Sequence, residues 1–208
     1  MRLYSFGLST SYRVAKHNSM SEADVVSAPL QISFLVVPLS GMMTTVISGT
    51  NRKNSRTLKV AQYYLEHLKA YTSDAHLLSL EDMDILCRSE RLQQVEQELL
   101  IPSGKFIFVM PEYNGSFPGV LKLLFDQSDI QRCWWYKKAL LVGLADGRGG
   151  NLRGIDHMTG ILHYLKMNIF YNTMPLSKIR EELDETGQFR KETTIKAVED
   201  QIRAFADY

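Results

Sequence analysis

Five short apolar runs separated by stretches of helical periodicity predict a three-layer α/β/α sandwich built on a five-stranded parallel sheet. The central runs are apolar along their whole length, as in strands covered on both faces. The stretches between them supply helices for right-handed crossovers.

The first run, Thr44 to Ser48, is short and β-rich, and the following helix carries Leu58, Ala61, Leu65 and Leu68 on one face. His76 to Leu80 is a weaker second strand. Leu92, Val95 and Leu99 mark an amphipathic helix that leads to the third strand, Lys105 to Met110, where Pro111 ends the run. Pro118 and Gly119 delay the next helix to about Val120, and it uses Leu121, Leu124 and Phe125. Ala139 to Leu144 is the fourth strand, and Ile155, Met158, Leu162 and Leu165 repeat at helical spacing behind it. Met167 to Tyr171 is the fifth strand. Leu176 to Lys191 reads as an exposed connection, and the last helix carries Ile195, Val198, Ile202 and Phe205.

The chain has 208 residues, 45% of them hydrophobic, which is enough for one sizeable core. A formal net charge of +1, with no long Lys or Arg run, excludes a polyanion-binding stripe, so no nucleic acid is expected. Cys87 and Cys133 form no Cys-x-x-Cys, and free thiols suit a reducing, cytoplasmic setting. Residues 1–43 read as an N-terminal extension ahead of a domain over 44–208. Met42 or Met43 would then be the natural start. The apolar stretch Leu30 to Met43 is broken by Pro38 and Gly41 and is too short to span a bilayer, and the extension fits a secretory signal poorly. No membrane association is expected.

In a parallel sheet of this kind, the loops after strands one, three and four leave from one edge and converge on one crevice. The first carries hydroxyls at Thr50, Ser55 and Thr57, a cation at Arg52, and the amides of a helix start, which together suit a terminal phosphate. Ser55 equally fits a helix cap, and Arg52 a solvated charge. The loop lacks the endings of a P-loop or a dinucleotide fingerprint. The second, from Pro111 through Glu112, Tyr113, Asn114, Gly115 and Ser116, fits a slot for a flat ligand or an ordinary tight turn. The third contains Gly147, Arg148, Gly149 and Gly150, with Arg148 either a ligand contact or a solvated charge.

Other candidates are weaker. His157 and His163 lie six apart and point to different helix faces, so no metal site is expected there. Glu81, Asp82 and Asp84 read as a solvated acidic loop before a chelating one. Trp134, Trp135 and Tyr136 read first as core and subunit-interface packing, then as a ligand platform.

The motifs Gly49-Thr50-Asn51-Arg52 with Ser55, Pro111-Glu112-Tyr113-Asn114-Gly115-Ser116 with Pro118-Gly119-Val120-Leu121-Lys122, and Gly147-Arg148-Gly149-Gly150 resemble the NADPH-dependent FMN reductase family. The resemblance covers about Thr45 to Phe205, and the middle motif is the most specific. It implies a flavodoxin-like fold with strand order 2-1-3-4-5. It also implies that Thr50, Arg52, Ser55 and Thr57 hold the FMN phosphate, that Pro111 to Ser116 wrap the flavin ring, and that Gly147 to Gly150 line its other edge. The implied activity passes hydride from NADPH or NADH to FMN and on to a small acceptor, such as a quinone, azo compound, free flavin or metal oxyanion. It needs no dedicated acid or base. A homodimer or homotetramer is implied as well. The sequence departs from many relatives at Thr50 and Thr57, both of which keep an oxygen, and at Leu123 to Gln127. Two rival readings are a flavodoxin-like electron carrier without nicotinamide activity and a flavin-free α/β domain. Near-neutral charge weighs against a carrier that docks electrostatically.

Overall fold

The computed structural model describes residues 42–81 and 83–208; most of the expected 1–43 extension therefore lies outside the described residues. Met43 already belongs to the sheet margin, since its carbonyl accepts the Gly104 amide at 3.0 Å. The elements are β1 (Thr44–Ser48), α1 (Arg56–Leu68), β2 (Ala75–Ser79), α2 (Glu90–Val95), β3 (Lys105–Pro111), α3 (Gly119–Gln127), α4 (Ile130–Cys133), β4 (Lys138–Leu144), α5 (Leu152–Tyr164), β5 (Asn168–Ile169), β6 (Met174–Leu176), α6 (Ile179–Glu182) and α7 (Glu192–Asp207).

All pairings between these strands are parallel, in the order β2-β1-β3-β4-β5, with β6 also on β4. This is the expected flavodoxin-like sheet. Alternate side chains of its strands feed two cores. Ile47, Phe106, Phe108 and Met110 pack with α2, α3 and α5, while Val46, Ile107, Val109, Leu140 and Val142 pack with α1 and α7. The apolar stripes of the helices are what these two faces require: Leu121, Leu124 and Phe125 enter the first core, and Val198, Ile202 and Phe205 the second. Burial on both faces explains why β3 and β4 are apolar after their first residues, Lys105 and Lys138.

Four features differ from expectation. The fifth strand is two short pieces, β5 and β6, both beside β4. Between them Phe170 turns into the second core against Phe205 and Tyr208, and the Asn172 carbonyl accepts the Gln201 side-chain amide at 2.6 Å, so the chain leaves the ladder and returns. Leu176 to Lys191 is not an exposed connection. Leu176, Ile179, Leu183 and Phe189 are buried, and the Asp184 carboxylate gathers the amides of Thr186, Gly187 and Gln188 into a turn at 2.8–2.9 Å. These hydrogen bonds hold the Asp184 carboxyl below its usual range, the Thr186 hydroxyl contributing most.

The helix marked by Leu92, Val95 and Leu99 passes into a π-helical turn at Glu96–Leu100. Fully buried Glu96 sits there, accepting from Arg88 and from the Asp129 amide, both at 2.6 Å. Finally, β3 runs through Pro111, and Glu112 adds a bond to Leu144 at 2.7 Å. Because donors alternate along a strand, the Pro111 nitrogen faces the side where β1 has already ended at Ser48, so its missing N–H costs no ladder bond.

Candidate functional site

The loop from Gly49 to Ser55 carries the chain from β1 into α1. A Cβ on Gly49 would lie 2.8 Å from Leu121 and 3.1 Å from the Val109 carbonyl, so a side chain here would have to displace Leu121 and crowd β3. Ser55 is the helix cap: its Oγ accepts the Leu58 amide at 3.1 Å, and its carbonyl takes the Lys59 amide. That leaves the Arg56 and Thr57 amides without a partner among the described residues, pointing out of the positive end of a 13-residue helix. Arg52 and Arg56 are exposed beside them, and Thr57 is buried against the helix start.

Pro111, Glu112 and Tyr113 leave β3 alongside this loop. Tyr113 and Ser116 then close a two-residue turn, with amide-to-carbonyl bonds of 2.8 and 3.1 Å. Asn114 (φ 51°) and Gly115 (φ 79°) hold the two left-handed positions that such a turn demands. Residues 113–116 thus form the tight turn, while Pro111, Glu112 and Tyr113 stand beside the first loop. The turn's tip lies against α5, where the Ser116 hydroxyl meets His157 Nδ1 at 2.9 Å. The Tyr113 side chain points the other way. Its hydroxyl is 2.6 Å from the Thr50 hydroxyl, and the Arg52 guanidinium lies 4.1 Å from its ring centroid.

After β4 the third loop begins with buried Ala145 and exposed Asp146, and Asp146 pairs with Arg180 at 2.9 Å. Gly147, Arg148 and Gly149 are exposed, whereas Gly150 is buried with φ 55° and packs on Pro175. Asn151, which sequence reading passed over, fixes this loop. It is fully buried in a left-handed conformation, donates to the Met110 carbonyl at 3.0 Å and caps α5 by accepting the Gly154 amide at 3.1 Å.

A cavity of about 620 Å³ opens between these loops. Arg52, Ser55 and Thr57 line one end, Pro111, Glu112 and Tyr113 one wall, and Leu144, Ala145 and Asp146 the floor beyond β4. The opposite wall was not anticipated: it is formed by Ile179, Arg180, Leu183, Asp184, Glu185 and Arg190 of the buried segment after β6. Lys59 ties that wall to α1 by donating to the Glu185 carbonyl at 2.6 Å. Thr50, Asn114, Gly115, Ser116 and Gly147 to Gly150 do not line the cavity. Its size is that of a small-molecule site, and its donors favour an anion at the α1 end.

The remaining candidates resolve as structural groups. Among the described residues no His, Cys, Asp and Glu cluster could hold a metal. Glu81 accepts the Asn54 amide at 3.1 Å and so braces the first loop, Asp84 accepts the Leu86 amide, and Asp82 lies outside the described residues. Trp134 is core, whereas Tyr136 is exposed and Trp135 lies under the Lys166 ammonium, 3.5 Å from its ring centroid. Both cysteines are free, and burial pushes the Cys133 thiol up to about 12. No helix among the described residues is long and apolar enough to cross a membrane.

Comparisons with known proteins agree with this geometry. The sequence is 33% identical over 97 residues to the NADH-dependent FMN reductase SfnF of Pseudomonas fluorescens, covering 43% of this chain and 52% of that one. It is 27% identical over 120 residues to an FMN-dependent NADPH-azoreductase of Staphylococcus aureus, covering 52% and 62%. The chain thus spans about half to three-fifths of the length of these curated relatives. Among solved structures, the flavoenzyme NAD(P)H:(acceptor) oxidoreductase FerB of Paracoccus denitrificans shares the fold, with TM-score 0.67, 22% identity, and 79% of this chain and 95% of that one covered. A flavodoxin from the domain Archaea shares it at TM-score 0.55 and 10% identity, covering 80% and 100%. The sequence profile of the NADPH-dependent FMN reductases matches residues 42–180, well over half of the chain, and the protein belongs to that family.

Proposed function

We propose that this protein is an FMN-dependent NAD(P)H oxidoreductase that passes electrons from NADPH or NADH through FMN to a small acceptor. The observation that carries the reading is the cavity itself. One end presents two helix amides that have no partner among the described residues, with Arg52 and Arg56 nearby, and the adjoining wall is a strand end carrying Tyr113. Those donors fit a dianionic phosphate, and the remaining volume fits a flat ring system.

In this reading Arg52, Ser55 and Thr57, with the Arg56 and Thr57 amides, hold the FMN phosphate. Pro111, Glu112 and Tyr113 flank the ring on one side and Ala145 on the other. Asn114, Gly115 and Ser116 act as the turn that aims this wall, Thr50 acts through Tyr113, and Gly147, Arg148, Gly149 and Gly150 form the rim where a second substrate enters. Bound FMN would supply the two-electron redox chemistry between nicotinamide and acceptor. The protein's part is to bind, orient and shield, so no side chain is assigned as acid or base. An open rim suits quinones, azo compounds, free flavin and metal oxyanions alike.

Residues 44–208 carry this function, with 1–43 as an extension. Free thiols support a cytoplasmic setting. An apolar hollow between α3 and α5, lined by Phe125, Ile130, Ile161 and Tyr164, supports self-association as a homodimer or homotetramer. The test of the function is flavin uptake followed by reduction. Purified protein should be yellow or become so with FMN, and NADPH or NADH alone should reduce it. Protein that takes up no FMN would refute the reading, and reduction only by a chemical reductant would make it a carrier.

A further inference from the structure

Tyr113 joins the two halves of the cavity. Its ring supports the Arg52 guanidinium at 4.1 Å, and its hydroxyl bonds the Thr50 hydroxyl at 2.6 Å across 63 residues of sequence. The Thr50 hydroxyl also accepts the Arg52 amide at 3.3 Å, so one residue touches both the side chain of Arg52 and the group that fixes its backbone. The Tyr113 backbone is itself clamped, through its two bonds to Ser116 and through Glu112 to Leu144. Arg52 is exposed and long, and an unsupported side chain of this kind loses much rotamer freedom when it grips a phosphate. A guanidinium already laid on an aromatic face loses less.

We propose that Tyr113 is a positioning residue that makes the cavity selective for phosphorylated flavin over riboflavin, by holding Arg52 at the phosphate end. The inference rests on the FMN reading above. It separates Tyr113 from the other ring-flanking groups: a residue that only contacts the flat ring affects FMN and riboflavin alike, whereas one that also acts through Arg52 affects FMN more than riboflavin.

The experiment is a fluorescence titration of the full chain with FMN and with riboflavin, for the wild type, Tyr113→Phe, Tyr113→Leu, Arg52→Ala and the Arg52→Ala/Tyr113→Leu double variant. In Tyr113→Leu the ratio of FMN to riboflavin affinity should fall by about five- to tenfold. Tyr113→Phe, which keeps the ring under Arg52 and loses only the hydroxyl, should recover most of that ratio and guards against a misfolded leucine variant. In the double variant the ratio should fall no further than in Arg52→Ala, because both changes remove one interaction. Equal weakening of both flavins in Tyr113→Leu, an unchanged ratio, or independent effects in the double variant would overturn the inference. A wild type that binds neither flavin would instead overturn the functional reading on which it rests, and that result is visible before any variant is made.

Discussion

Arg52 and Asn151 show how differently two residues can be written in a sequence. Arg52 stands out as a cation among hydroxyls in the first crossover loop, and it lines the α1 end of the cavity. Its replacement by Ala should weaken FMN binding by roughly 1.5–3 kcal/mol, about ten- to a hundredfold, through loss of a charged hydrogen bond. Flavin titration with an unchanged dissociation constant would remove it from the site. That Arg52 also lies on Tyr113 was not legible, because a contact between loops 61 residues apart depends on side-chain direction, not on pattern. Asn151 has a local mark, an Asn just before an amphipathic run, which is how a helix cap reads. Its second bond, to the Met110 carbonyl 41 residues earlier, has none. Asn151→Ala removes the bond to the Met110 carbonyl and leaves the buried Gly154 amide without its acceptor, so stability should drop by about 1–3 kcal/mol. Urea denaturation should show a lower midpoint at unchanged slope.

At the scale of elements, long runs were legible and short, side-chain-held segments were not. β3, β4, α1 and α7 carry their periodicity openly, since their faces meet a continuous core. The segment after β6 hides its burial, because one turn of helix and an Asp184-centred turn bury Leu176, Ile179, Leu183 and Phe189 at no regular period. The π-helical turn Glu96–Leu100 is equally silent: its end is held by Lys137, whose ammonium donates to the Leu100 and Ile101 carbonyls at 2.6 and 2.9 Å. Burial pushes the Lys137 ammonium down from 10.5 to about 8, an effect that the neighbouring Cys133 partly offsets. In that interval the unfolded chain binds the proton that the folded chain has released, so this group makes stability rise with pH from about 8 to 10.5. Below about 8 its desolvation cost is fully present. Lys137→Met should flatten that rise in stability measured by denaturant titration across the interval. The buried Cys133 thiol biases stability the opposite way at higher pH and is coupled to Lys137, so the comparison is made in a Cys133→Ala background, where the difference reports Lys137. Identical slopes would remove Lys137 as a source of the pH dependence.

For the molecule as a whole, strand order decides where function sits. Placing β1 between β2 and β3, with β4 beyond, sends three loops to one edge, and that convergence follows from the order of apolar runs alone. The fourth wall of the cavity does not follow from it. It lies largely beyond residue 180, where the family match ends, and is held by Ile179, Leu183 and Phe189 in the second core. The match begins at residue 42, where the described fold begins, so deletion of Met1 to Gly41 should leave soluble protein with unchanged FMN affinity. Insoluble protein or lost flavin binding would make the extension part of the working domain. The central claim, that this cavity binds FMN and delivers nicotinamide electrons to it, is tested most directly by anaerobic mixing of the FMN-loaded protein with NADPH or NADH while flavin absorbance is followed. The account predicts rapid bleaching of the oxidised flavin band by at least one nicotinamide, and return of the band when a quinone is added. A band that neither nicotinamide bleaches, but that a chemical reductant does, would contradict it.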